Sequence, residues 1–254
     1  TDECAAPEFF SGGAKLIPLT GEGGKITAIE LADAIQGAGN VHSAQPAAVS
    51  ITQACETGEV YQVREIEGIA NLARDKGLRL HMDGARFANA LAQLEVSPAD
   101  MTWRAGVDVL SFGGTKNGCL AAEAVVVFDP DLARSLPYLH KRSGQLLSKM
   151  RFISAQLLAY LVDDLWLRNA RQANEAAARL SRGLAAVPNI EVAYPTQSNE
   201  VFVRIPEDIT RRLRDHGYQV NDGELDGTVV RFVTAWNTSG DDVDSLLAAV
   251  RAPQ

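Results

Sequence analysis

The chain has 254 residues, 46% of them hydrophobic and 22% charged, with 21 glycines and 10 prolines; this excludes an intrinsically disordered chain and supplies core enough for one large domain or, as we expect, two modest ones. Lys and Arg number 24 against 32 Asp and Glu, a net charge of −8, which argues against nucleic acid or an anionic membrane as the main partner and favours a small molecule. No apolar run approaches the ~18 residues of a membrane helix, and Thr1-Asp2-Glu3-Cys4 carries no secretory signal pattern. The three cysteines, Cys4, Cys55 and Cys119, lack C-x-x-C spacing. They read as reduced thiols of a cytoplasmic protein, not as a disulfide framework or a metal site.

In chain order, residues 14–19 predict a strand, and Thr27 with Glu30 forms a capping-box pattern that opens a helix to about residue 36. Residues 46–54 predict a strand, 64–76 an amphipathic helix with Gly77 beyond its end, and 78–82 a further strand with Asp83 just past it. Helices are predicted over 86–95 and 98–104, the latter opened by Ser97-Pro98, followed by strands at 107–112 and 123–128 around a loop at 113–118. Another helix starts at Asp129-Pro130-Asp131. Residues 148–186 are almost wholly helical in pattern, strands near 190–194, 199–204 and 228–234 surround a helix at 207–216, and 241–251 closes as a helix. The alternation predicts an α/β fold. Residues 1–145 are read as a mostly parallel large domain and 146–254 as a smaller α+β C-terminal domain with linking helices.

Open α/β sheets bind ligands beyond the carboxyl ends of their strands. Two segments there carry chemistry: His81-Met82-Asp83-Gly84-Ala85-Arg86, and Ser111-Phe112-Gly113-Gly114-Thr115-Lys116-Asn117-Gly118. A lysine desolvated among glycines is a nucleophile toward carbonyls, so Lys116 suggests Schiff-base chemistry. If the carbonyl belongs to pyridoxal phosphate, a carboxylate must keep the pyridine nitrogen protonated, and Asp83 is the natural choice. The chain between them is long enough for a helix and a return to the adjoining strand. Taken alone, Lys116 reads equally as a solvated lysine, Asp83 as a turn residue and His81 as a packing residue. Neither a P-loop nor the G-x-S-x-G or H-E-x-x-H pattern occurs.

These two segments together, with Phe87-Ala88-Asn89-Ala90, Asp2-Glu3-Cys4-Ala5-Ala6-Pro7, Lys149-Met150-Arg151-Phe152 and Val229-Val230-Arg231-Phe232-Val233-Thr234, resemble the low-specificity L-threonine aldolase family over essentially the whole chain. The resemblance is strongest to the bacterial branch that includes phenylserine aldolases. It implies a fold type I pyridoxal 5'-phosphate enzyme that cleaves L-threonine, L-allo-threonine or related β-hydroxy-α-amino acids to glycine and an aldehyde. By the same resemblance Lys116 bonds to the cofactor, Asp83 faces its ring nitrogen, and Arg86 and Arg231 hold the substrate carboxylate. His42 matches a histidine near the substrate hydroxyl, and Arg151 a residue offered to a neighbouring subunit's site in a homo-oligomer. No metal is implied.

Read from residues alone, Arg231 is a surface or ion-pair residue, His42 a loop residue and Arg151 part of a solvated helix face. A phenylserine aldolase, another β-eliminating lyase on this scaffold and a non-catalytic fragment remain alternatives. The family's glycine-rich phosphate-binding turn and ring-stacking histidine, which precede the position of Thr1, have no counterpart here. The expectation is a chain lacking the N-terminal part of the pattern, one that binds the cofactor poorly by itself.

Overall fold

The computed structural model describes residues 3–220 and 229–252. Thr1 and Asp2 of the N-terminal motif, and position 228 of the expected last strand, lie outside them. After a short helix α1 (Ala6–Phe10), the expected strand at 14–19 does not form. Leu16 and Ile17 are exposed, and among the described residues no strand lies beside them; without a ladder partner an apolar run has nothing to hold it extended. The capping box does form: Glu30 N–H donates to Thr27 Oγ1 at 3.2 Å and Thr27 N–H to Glu30 Oε2 at 2.7 Å, opening α2 (Ala28–Ala34).

Four strands, β1 (Ala48–Thr52), β2 (Arg79–Gly84), β3 (Val109–Gly113) and β4 (Glu123–Val127), form one sheet in that order. The first three run parallel, and β4 is antiparallel to β3. Helix α3 (Val63–Asp75) crosses between β1 and β2, burying Ile66, Ile69, Ala70 and Ala73 on one stripe. Helices α4 (Phe87–Leu94) and α5 (Pro98–Met101) cross between β2 and β3. The predicted helix at 98–104 breaks at Thr102 (φ −121°, ψ −106°) into a separate 3-10 turn. Two short helices, α6 (Pro130–Ala133) and α7 (Leu136–Arg142), follow β4.

The long helical stretch is two helices, α8 (Arg151–Leu161) and α9 (Leu165–Ala185), interrupted where Asp163 and Asp164 take left-handed φ of 51° and 56°. A second sheet, β5 (Glu191–Val192), β6 (Glu200–Arg204) and β7 (Val229–Val233), is antiparallel and packs with α10 (Glu207–Asp215) and α11 (Gly240–Arg251). Helix α9 serves both cores: Trp166 and Ala170 pack under the first sheet, whereas Ala176, Ala177, Leu180 and Leu184 pack under the second. Alanines at three- and four-residue spacing let the helix lie close to both.

Candidate active site

Strand β2 sends Leu80 and Met82 into the core and leaves His81 and Asp83 on the opposite face. Asp83 therefore lies on the strand itself, opposite Thr52 of β1 and Ser111 of β3, and its Oδ1 accepts from Ala85 N–H at 2.9 Å. His81 is held at both nitrogens, Nδ1 2.8 Å from Ser50 Oγ and Nε2 2.9 Å from Ser111 Oγ. A neutral imidazole offers one donor and one acceptor, which two rotatable hydroxyls satisfy in either tautomer. Burial pushes its pKa below the usual histidine value, against the opposing pull of Asp83.

Strand β3 delivers the lysine turn. A Cβ on Gly113 would sit 2.8 Å from the Ala85 carbonyl oxygen and 2.9 Å from Ala85 Cα, so only glycine lets the lysine turn pack directly on the backbone beyond Asp83. Thr115–Asn117 forms a single 3-10 turn, closed by Gly118 at φ 118°. Asn117 is buried beneath it. Its Nδ2 donates to Tyr160 Oη at 2.6 Å and to the Trp166 carbonyl at 2.8 Å, and its own carbonyl accepts from Asn169 Nδ2 at 2.9 Å. Phe87, Phe112, Tyr160 and Trp166 form an aromatic cluster, with neighbouring ring centroids 5.8–6.3 Å apart, in which Phe87 follows Arg86 and Phe112 precedes Gly113. Lys116 itself is exposed. The desolvation expected of it is not seen in this chain.

The arginines converge from distant parts of the chain. Arg86, at the start of α4, places a terminal nitrogen 2.8 Å from Glu200 Oε1, and its Nε donates to Asn199 Oδ1 at 3.2 Å. Arg231 of β7 donates to the same Glu200 oxygen at 3.3 Å. Phe202 is the direct partner of Arg231 in the antiparallel register, which puts Glu200, two residues away, on the same face as a diagonal neighbour. Asn199 in turn donates to the Thr234 carbonyl at 2.7 Å. The Glu200 side chain is 1% exposed, against 15% for Arg86 and 30% for Arg231. Burial raises its pKa, while Arg86, Arg231 and, more weakly, Lys116 pull it down.

Two expected residues are not brought to this cluster. His42 lies in an exposed loop, where its backbone N–H bonds to Asn40 Oδ1 at 3.0 Å, and among the described residues its ring makes no hydrogen bond or ion pair. Arg151 is exposed at the start of α8, with its guanidinium 4.9 Å from the centroid of the Phe152 ring. Conversely, sequence reasoning missed Glu200, Asn199 and Asn117. An acid at the head of the apolar run Val201-Phe202-Val203 was the one signal available for Glu200.

An amine that can bond to an aldehyde and a carboxylate that can keep a ring nitrogen protonated, set at the ends of adjacent strands, fit the pyridoxal end of pyridoxal phosphate. The architecture is α/β, of the fold type I class: it superposes on a threonine aldolase from Leishmania major with a TM-score of 0.90 at 26% identity, covering 99% of this chain and 73% of that one. The chain belongs to the beta-eliminating lyase family, which matches residues 1–206. It is 44% identical over 252 residues to a low specificity L-threonine aldolase from a Pseudomonas species, covering 99% of this chain and 72% of that relative. A low specificity L-threonine aldolase from Pseudomonas aeruginosa is 43% identical over 251 residues, again covering 72% of the relative.

Proposed function

We propose that this chain is a pyridoxal-phosphate-dependent carbon–carbon lyase that cleaves L-threonine, L-allo-threonine and related β-hydroxy-α-amino acids to glycine and an aldehyde. The observation that carries the reading is the convergence of Arg86 and Arg231 on Glu200, with Arg86 one residue beyond the Ala85 backbone on which the lysine turn packs. Paired guanidinium groups next to an amine at a sheet edge are what an α-amino acid bound through its carboxylate requires. The Pseudomonas relatives support the same activity.

When bound, the cofactor supplies an electron sink for the breaking Cα–Cβ bond. Lys116 would hold it through its aldehyde, and its amine, once free, would carry protons at the substrate Cα. Asp83 keeps the ring nitrogen protonated, and the Ala85 N–H fixes that carboxylate in place. Arg86 and Arg231 hold the substrate carboxylate and so orient Cα toward the lysine. His42 is assigned the hydroxyl proton, on resemblance alone. Arg151 completes a neighbouring subunit's site in a homo-oligomer, and the enzyme works in the cytoplasm. Among the described residues no helix is long and apolar enough to cross a membrane.

Turnover of L-threonine compared with phenylserine tests the reading. Glycine release from threonine supports it, and cleavage of phenylserine alone replaces it with the narrower aromatic activity.

A further inference from the structure

Glu200 is an unusual thing to bury between two substrate-binding arginines. Its side chain is 1% exposed, its Oε1 takes both guanidinium contacts, and its Oε2 is buried with no hydrogen-bond partner among the described residues. A buried carboxylate oxygen without a donor costs stability. An acid serving only to anchor arginines would be expected to use both oxygens in a bidentate pair. Gly58 lies alongside it, where a Cβ added to the glycine would come within 3.5 Å of Glu200 Cβ, and the same loop is tied to the segment before β6 by Val60 N–H donating to Gln197 Oε1 at 2.8 Å.

We propose that Glu200 sets the charge selectivity of the carboxylate site, restricting it to amino acids with a single carboxylate and disfavouring dicarboxylates. This rests on the reading of Arg86 and Arg231 as carboxylate-binding residues. Glu200 occupies one acceptor position that both guanidinium groups share and contributes one negative charge beside the incoming ligand. Two guanidinium charges offset by one buried carboxylate leave the cluster a single net positive charge, enough to offset one ligand carboxylate but not two, in surroundings where charges interact far more strongly than in water. Glu200 is thus a positioning and specificity residue, acting through the arginines and not on the reacting atoms.

Replacement by glutamine separates charge from shape. Glu200→Gln keeps an oxygen acceptor at the Oε1 position and nearly the same shape while removing the charge, and its melting temperature shows whether the fold is retained. Glu200→Asp keeps the charge and shortens the side chain.

The test is calorimetric binding of butyrate and succinate, a four-carbon monocarboxylate and dicarboxylate, to the cofactor-loaded full-length protein. Wild type should bind succinate no more tightly than butyrate. In Glu200→Gln the succinate-to-butyrate affinity ratio should rise by about tenfold or more, the scale of one charged contact, whereas Glu200→Asp should keep the wild-type ratio. An unchanged ratio in a folded Glu200→Gln, an equal shift in Glu200→Asp, or a wild type that already prefers succinate tenfold would overturn the proposal; the last needs no variant. Neither ratio depends on turnover, so a protein inert toward threonine would count against the aldolase reading and leave this result standing. Butyrate affinity unaffected by Arg86→Ala would overturn the carboxylate reading and this inference with it.

Discussion

Asn117 and Tyr160 meet at 2.6 Å beneath the lysine turn, joining the residue after Lys116 to helix α8. The Asn117 amide also reaches the Trp166 carbonyl, so one buried side chain sets the height of the turn above the aromatic cluster. In Asn117→Ala that carbonyl loses its side-chain donor and Tyr160 Oη its partner. We expect a loss of about 1–3 kcal/mol, read as a fall in melting temperature of roughly 2–4 °C per kcal/mol. An unchanged melting temperature would show that the Asn117 side chain does not hold the turn.

Removing one charge-assisted contact to a substrate carboxylate costs about 1.5–3 kcal/mol. Arg86→Ala and Arg231→Ala should each lower kcat/KM for threonine by roughly ten- to a hundredfold, while cofactor absorbance is retained. Arg86→Ala should also lower the melting temperature, because Arg86 lies 2.8 Å from buried Glu200 and bonds Asn199 as well. Unchanged kinetics in both variants would place the carboxylate elsewhere.

The local elements are legible in the sequence because their signals are local. The Thr27 and Glu30 capping box, the Ile66, Ile69 and Ala73 stripe and the glycines around Lys116 each specify structure within a few residues. The strand expected at 14–19 fails because a strand is completed by its neighbour, which the run itself does not encode. Glu200 escapes notice for the same reason: its partners Arg86 and Arg231 come together only when β7 pairs with β6 and the start of α4 approaches both. The buried role of Asn117 likewise depends on α8 and α9 passing under the turn. For Lys116 the apolar strand before it suggests burial, whereas its side chain is exposed.

His81 gives a pH signature. Its pKa in the fold is held below the ordinary value of 6.5 by burial, so the unfolded chain binds the proton more readily in the window beneath 6.5. The stability tied to neutral His81 is fully present above that value and is lost as pH falls through the folded pKa. Melting temperature should decline between pH 7.5 and 5, and less steeply in His81→Gln, which keeps a donor and an acceptor for Ser50 and Ser111 without titrating. Identical slopes would assign the decline to other groups.

Borohydride reduction of the cofactor-loaded protein should fix a pyridoxyl group on the peptide containing Lys116. The turn presents this amine outward, with Asn117 anchored below it. Label on another lysine would sink the assignment.

The most direct measurement of the central claim is glycine released from L-threonine by the cofactor-loaded protein and by its Lys116→Ala variant, with acetaldehyde assayed in parallel. The account predicts equimolar glycine and acetaldehyde from the wild type and a loss of at least about a thousandfold in the variant, on the scale of removing a general acid–base group together with the cofactor's covalent anchor. Threonine left intact by the wild type, or cleaved at a similar rate without the Lys116 amine, would contradict it.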